Sequence, residues 1–356
     1  MTIDAYDIRD AIRTVVDGQE LSRAQATSAM NAIMAGEVPG TQIAALVTAL
    51  RMKGETVAEI TGFAEAMRNH SLKVEVDSAT TPLLDTCGTG GDYSNTFNIS
   101  TTATFAIAAA GVRIAKHGNR AASSLCGSAD LLEGLGVQVE LTGDEVAESI
   151  DEVGIGFMYA PSFHPAMRYV GPTRREIGIR TLFNVLGPIT NPAGASHQLI
   201  GVGHPGIALQ LAAVLGELGS QHVVLVHSME GLDEIGITGA SKVTEFKAGE
   251  SGIDEYSIAP QDFDLETGSI DDLRGGDVET NVAITRAILA GESGPRRTVT
   301  LMNAGAGIYA ADAAESMEEG IAMAATAIDS GAAMAKLDAL VSCTQRLVAD
   351  RQGAVA

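Results

Sequence analysis

The residues best equipped for chemistry lie between positions 85 and 130. There the chain reads Asp85-Thr-Cys-Gly-Thr-Gly-Gly-Asp92, then Asn98-Ile-Ser-Thr101 ahead of an Ala-rich run, then Lys116-His-Gly-Asn-Arg120 and Gly127-Ser-Ala-Asp130. Glycines at 88, 90 and 91 let backbone N–H groups come close to an anion, and a helix starting just after them adds its positive end. Lys116 adds a point charge, and Ser123, Ser124 and Ser128 add hydroxyls. By itself the Gly-Gly pair describes a tight turn equally well. With a lysine, hydroxyls and two polar strand ends in one stretch, the pattern points to an anion site.

Those residues need elements to hold them. Positions 82–86 read as a short buried strand, 98–111 as a helix capped by Asn98 or Ser100, and 112–115 as the next parallel strand. Ser128 reads as the cap of a helix running to 135. Two successive strand ends with polar loops on one edge of an open sheet make a ligand crevice. Further on, 137–141 and 155–159 read as strands around a helix at 143–152. Residues 164–178 read as a helix and 180–192 as a loop-rich crossing. Strands at 197–203 and 222–227 flank a helix at 207–218. This alternation predicts an α/β domain with a mostly parallel sheet flanked by helices. The 241–246 segment and the acidic 250–276 region read as an excursion, with an antiparallel edge as one option. Three helices close the chain, over 278–290, 296–309 and 316–348, the last broken near Ser330-Gly331.

Positions 5–72 carry four helix-like segments with helical apolar spacing (Ile43, Leu46, Val47, Leu50; Ile60, Phe63, Ala64, Met67) and no visible chemistry. The division expected is a small helical domain over 1–73, joined by part of 164–190, and an α/β domain over 80–350. Residues 71–81 form the linker between them.

Composition bounds the partners. The formal charge of −22 argues against nucleic acid and acidic membranes. No presequence and no apolar run of membrane length is evident. Three cysteines without metal spacing fit free thiols in a reducing cytoplasm.

The motifs between Gly88 and Asp130, with Arg180-Thr-Leu-Phe-Asn-Val-Leu-Gly-Pro188, Gly231-Leu-Asp-Glu234 and Gly294-Pro-Arg-Arg297, resemble anthranilate phosphoribosyltransferases from about the first helix to the last. The resemblance implies transfer of a phosphoribosyl group from 5-phosphoribosyl 1-pyrophosphate to the amine of anthranilate in tryptophan biosynthesis, by a homodimer. It assigns the donor to Gly88, Gly91, Asp92, Thr96, Asn98, Ser100, Thr101, Lys116, His117, Gly118, Asn119, Arg120, Ser123, Ser124 and Ser128. It assigns anthranilate to Gly88, Asn119, His164 and Arg174, and Mg²⁺ (two ions) to Ser100, Asp233 and Glu234. Lys116, Asn119 and Arg174 position the substrates, and no side chain is singled out as an acid or base.

Physical chemistry supports those roles. A guanidinium pairs bidentately with a carboxylate, although an ion pair between Arg174 and Glu176 is the bland alternative. Each helix N-terminus contributes only about 0.3–1 kcal/mol to anion binding, so a polyphosphate in an acidic protein calls for a divalent cation. Adjacent Asp233 and Glu234 suit Mg²⁺, although such a pair alone is usually just surface. Holding the amine against C1 of the ribose supplies effective molarities on the order of 10⁵–10⁸ M. Leu125, Cys126 and Tyr93 depart from the family pattern near the phosphates. A pyrimidine nucleoside phosphorylase would need neither the acid pair nor Arg174, and a nucleic-acid-binding paralogue would be basic.

Overall fold

The computed structural model describes residues 7–77, 81–92, 94–121 and 124–355. Four helices come first: α1 (Ile8–Val16), α2 (Arg23–Met34), α3 (Gly40–Lys53) and α4 (Val57–Asn69). Ser22 with Gln25 and Thr56 with Glu59 form reciprocal caps that start α2 and α4. Glu59 is wholly buried yet satisfied: it pairs with Lys53 at 2.9 Å and accepts the Leu21 and Thr56 N–H groups. Gly62 lets α4 press against the backbone of α2, where a side chain would meet Ala26 and Thr27.

The larger region alternates strand and helix. It runs β1 (Leu83–Gly88), α5 (Ile99–Ala109), β2 (Arg113–Gly118), α6 (Ser128–Leu135), α7 (Gly143–Val153), β3 (Ile155–Tyr159), α8 (Ala160–Phe163), α9 (Gly171–Ile177) and α10 (Phe183–Leu186). Then come β4 (His197–Gly201), α11 (Ala208–Glu217), β5 (His222–Ser228), β6 (Ser241–Lys247) and β7 (Asp254–Ile258). The last four elements are α12 (Val278–Leu289), α13 (Pro295–Ala310), α14 (Met317–Asp329) and α15 (Ala332–Val355).

The seven strands lie in the order β3-β2-β1-β4-β5-β6-β7. The first five are parallel, and β6 and β7 are added antiparallel. Chain progress reverses between β1 and β4, which pair with Gly88 opposite Gly201. Helices α5, α6 and α12 to α15 cover one face around Phe105, Ile107, Leu132, Ile308 and Leu337. On the other face, α11 shares a core with α1 to α4 and with Ala166, Val170, Leu182, Phe183, Leu186 and Ile189.

Several expectations need correction. Residues 137–141 show strand alternation, with Val137, Val139 and Leu141 buried, but join no strand; the Gln138 N–H donates to Thr344 Oγ1 at 3.1 Å on α15 instead. The helix expected over 164–178 is a 3₁₀ turn at Pro165–Tyr169 followed by α9, because Pro165 and Pro172 each start a new helical piece. The break near Ser330 is complete, so four helices close the chain; Gly331 (φ +78°) separates α14 from α15. Gly127, not Ser128, is the N-cap of α6, and its N–H is held by Asp130 at 2.9 Å. Asn98 caps α5 by position only, because its side chain is used elsewhere. The antiparallel edge is present as β6 and β7, which follow the last parallel strand.

Candidate active site

The cleft opens where the strand order reverses, at the C-terminal ends of β1 and β4. The loop after β1 is fixed to β4 by two bonds, from the Thr89 N–H to the Gly201 carbonyl (2.8 Å) and from the Gly203 N–H to Thr89 Oγ1 (2.9 Å). Gly90 and Gly91 both take positive φ (+64° and +83°), which an L side chain resists. A Cβ on Gly88 would stand 2.5 Å from Asp233 Oδ2, so glycine is what lets that carboxylate reach the loop. Asp233 Oδ2 accepts the Gly90 N–H at 2.8 Å. Its neighbour Glu234 accepts the Ser100 N–H at 3.2 Å, at the N-terminus of α5.

Both carboxylates are deep and poorly compensated. Burial first, then the nearby Asp92, pushes the Asp233 carboxyl above its ordinary range. Burial and then Asp233 push Glu234 higher still, against the field of Lys116. Among the described residues neither acid has an ion-pair partner. Also among them, no three His, Cys, Asp or Glu side chains form a metal cage. One or two carboxylates that leave room for substrate oxygens and water are what Mg²⁺ favours, so the pair fits a hard divalent cation.

Lys116 is buried under this floor. Its Nζ donates to the Thr86 carbonyl and to Thr86 Oγ1 (3.2 Å), between the fields of Asp85, Cys87 and Glu234. Asp85, fully buried and pushed up by burial to about 6, accepts the His117 N–H (3.1 Å) and the Asn191 amide (2.7 Å). Burial holds the Cys87 thiol protonated, which suits packing better than nucleophilic attack.

At the end of β2 the His117 ring meets the His164 ring, centroids 5.0 Å apart and planes tilted by 50°. Burial lowers His117 to about 3 and His164 to about 4, so both are neutral at pH 7. The Nε2 atoms of both rings are buried with no hydrogen-bond partner. Arg174, on α9, makes no pair with Glu176; its guanidinium lies 5.8 Å from the Phe183 ring centroid. Burial, then Arg180, lowers its pKa, and among the described residues no carboxylate pairs with it.

The remaining predicted residues divide. Asn98 bridges the Cys126 carbonyl (3.0 Å) and the Asn281 amide (2.9 Å). Asp92 takes the Ser94 hydroxyl at 2.5 Å, and Thr96 bridges to Arg274. Thr101 is buried in α5. Ser128 Oγ donates to the Asn119 carbonyl at 3.1 Å, and at Gly118 a side chain would meet Phe157 at 2.8 Å. Ser124 is exposed. Arg120 is drawn to the rim, where it pairs with Asp130 (3.2 Å) and Glu133 and lies over Tyr159. Ser123 and Tyr93 fall outside the described residues. Sequence reasoning overlooked Asp85, Thr86, Thr89 and Asn191, whose roles arise from pairing across strands. For Arg180, its place at the head of a quoted motif was a signal.

Comparison with known proteins agrees along the whole chain. Residues 80–334 match the glycosyl transferase family α/β domain, and residues 9–71 match the helical bundle domain of that family. The anthranilate phosphoribosyltransferase of Moorella thermoacetica is 52% identical over 335 residues, spanning 94% of this chain and 98% of the relative. The crystal structure of the Thermus thermophilus anthranilate phosphoribosyltransferase superposes with a TM-score of 0.88 at 43% identity, covering 94% of this chain and 99% of that one. The Saccharomyces cerevisiae anthranilate phosphoribosyltransferase in complex with PRPP and Mg superposes at 0.85 with 27% identity, covering 95% and 98%. A glycine loop at the strand-order reversal, two adjacent acids beside it and one fold throughout lead to a single conclusion: the chain belongs to the anthranilate phosphoribosyltransferase family.

Proposed function

We infer that this cleft carries out the family's reaction. The phosphoribosyl group of 5-phosphoribosyl 1-pyrophosphate passes to the amine of anthranilate, giving N-(5-phosphoribosyl)anthranilate and pyrophosphate, a step of tryptophan biosynthesis. The observation that carries this reading is the pair Asp233 and Glu234, half-buried against the glycine loop and the start of α5, with no counter-ion among the described residues. Two adjacent, largely desolvated carboxylates beside an anion loop are costly unless a cation joins them.

In this reading the donor phosphates lie along the Gly88–Asp92 loop and the N-terminus of α5, with Asn98, Thr101, Asn119 and Ser128 around them. Asp233, Glu234 and Ser100 hold Mg²⁺, with two ions as the number we assign; when bound, the metal offsets charge on the leaving pyrophosphate. Lys116 acts from below, its charge opposing the burial that pushes Asp85 and Glu234 up. Arg174 takes the anthranilate carboxylate, since a half-buried guanidinium with no carboxylate partner among the described residues favours a ligand that provides one. The unpaired Nε2 atoms of His117 and His164 orient the aromatic amine. Both rings are neutral at pH 7, so neither opposes the positive charge that develops on ribose C1. The amine is uncharged at neutral pH and attacks without prior deprotonation.

The helical unit over 1–73, with part of 164–190, is proposed to close on the α/β unit over 80–350. Val16, Met52, Tyr169 and Ile179 leave exposed apolar surface on the helical side, which suits a homodimer contact. Three free cysteines suit the cytoplasm, and no helix among the described residues is long and apolar enough to cross a membrane.

The direct test follows loss of anthranilate fluorescence with 5-phosphoribosyl 1-pyrophosphate and Mg²⁺ supplied. Consumption that a chelator abolishes supports the reading. Turnover of a nucleoside with phosphate, and none of anthranilate, would sink it.

A further inference from the structure

Arg180 stands at the start of the 180–192 crossing, anchored by neighbours that cannot move freely. Leu182 and Phe183 are buried in the core shared with the helical bundle, and the Thr181 N–H donates to Asn184 Oδ1 at 2.9 Å. From this base the guanidinium reaches the back of the glycine loop. Nη2 donates to the Thr89 carbonyl at 3.0 Å. Nη1 rests over Gly91, where an added Cβ would overlap it and would stand 2.7 Å from Cζ. Among the described residues no carboxylate pairs with Arg180.

The other loop tethers come from the opposite side, from Gly201, Gly203 and Asp233. Arg180 is thus the loop's bond to the segment packed on the helical bundle. We propose that Arg180 is a positioning residue: it holds the Thr89–Gly91 backbone in the conformation that receives the donor phosphates. A charged donor on a rigid base fixes a carbonyl more firmly than a neutral one. The proposal rests on assigning this loop to 5-phosphoribosyl 1-pyrophosphate.

A cavity of about 360 Å³ borders both Thr89 and Arg180, with Ile60, Val185, Gln210 and Leu211 among its walls. It gives a small cation a way to the Arg180 position once the side chain is removed, which makes chemical rescue possible.

Steady-state kinetics on the full chain test the idea. Arg180→Ala should raise KM for 5-phosphoribosyl 1-pyrophosphate by roughly tenfold or more, the scale of one charge-assisted hydrogen bond, and leave KM for anthranilate unchanged. Guanidinium chloride at non-denaturing concentration should restore part of the loss, and Arg180→Lys should fall between wild type and Ala. Gly91→Ala, which evicts the guanidinium, should raise the same KM, and the double variant should cost less than the two single effects combined. A rise confined to KM for anthranilate, or a lower melting temperature with both KM values unchanged, overturns the positioning role. Should Gly91→Ala leave KM for the donor unchanged, it is the assignment of the loop that fails. A rise with Gly91→Ala but none with Arg180→Ala removes the inference alone.

Discussion

Two clusters of polar side chains sit at opposite ends of the sheet's strands, and they are finished differently. At the N-terminal ends of β4 and β5, His222 Nδ1 bonds Asp312 at 2.8 Å and Nε2 bonds Glu245 at 2.9 Å. Asp312 also pairs with Lys247 (2.8 Å) and His197 (3.2 Å), and Glu245 accepts the Tyr256 and Tyr309 hydroxyls at 2.7 Å each. The network is closed. At the C-terminal ends, among the described residues, Asp233 and Glu234 have no counter-ion, and His117 and His164 each leave a buried Nε2 without a partner. Folding pays for the second arrangement with no return in the free protein. A polar cluster that satisfies itself stabilises the fold, whereas one left open is reserved for a ligand.

The sharpest way to break this contrast is to neutralise the open acids. Asp233→Asn/Glu234→Gln should lower kcat/KM by about 10²–10³, in the range of lost transition-state electrostatics, with an unchanged or higher melting temperature. A large loss of stability would mean that the cleft acids serve the fold after all. Next in size, Arg174→Ala should raise KM for anthranilate by roughly ten- to a hundredfold while KM for the donor holds, as read from initial rates at saturating co-substrate. At the closed end the signs reverse. Glu245→Ala should cost about 1–3 kcal/mol in denaturant unfolding, because it leaves His222 Nε2 without a partner inside the sheet, yet leave both KM values alone. If activity per folded molecule fell as well, the two ends would not be independent.

The smallest effect separates the ends by pH. His117 and His164 have folded pKa values below the unfolded value of about 6.5, so the unfolded chain binds protons more readily there. Their contribution is complete above about pH 6.5 and is lost as pH falls towards 4 and 3. Asp85, raised to about 6, acts with the opposite sign and offsets part of this as pH falls from 6 to 4. For Glu245 burial raises the pKa, but hydrogen bonds from His222, Tyr256 and Tyr309 outweigh it, so its stabilisation persists above about pH 4.5 and disappears below. Melting temperatures of His117→Asn should therefore depend less on pH than wild type between 6.5 and 4. Those of Glu245→Gln should differ in pH dependence only in stronger acid. Parallel pH curves for the wild type and both variants would remove the distinction.

Legibility in the sequence followed the range of the interaction. The glycine loop and the strand–helix alternation are local, and they form where the residues indicate. The misread 137–141 segment has the right alternation, but whether it joins a sheet depends on a neighbour that only packing supplies; α15 took that place. Arg120 stands among polar residues in sequence, and its pairing with Asp130 and Glu133, ten and thirteen positions on, is set by the tertiary fold.

Chain chemistry alone determined which residue types gather near the loop and that the sheet would be mainly parallel, because spacing and periodicity act over a few residues. Tertiary structure decided the rest. Asp233 reaches Gly90 across 143 positions, Arg180 reaches Thr89 across 91, and Asn191 reaches Asp85 across 106. Such contacts exist only after strands pair and water is excluded, and it is that exclusion which leaves the two acids uncompensated and the two histidines neutral.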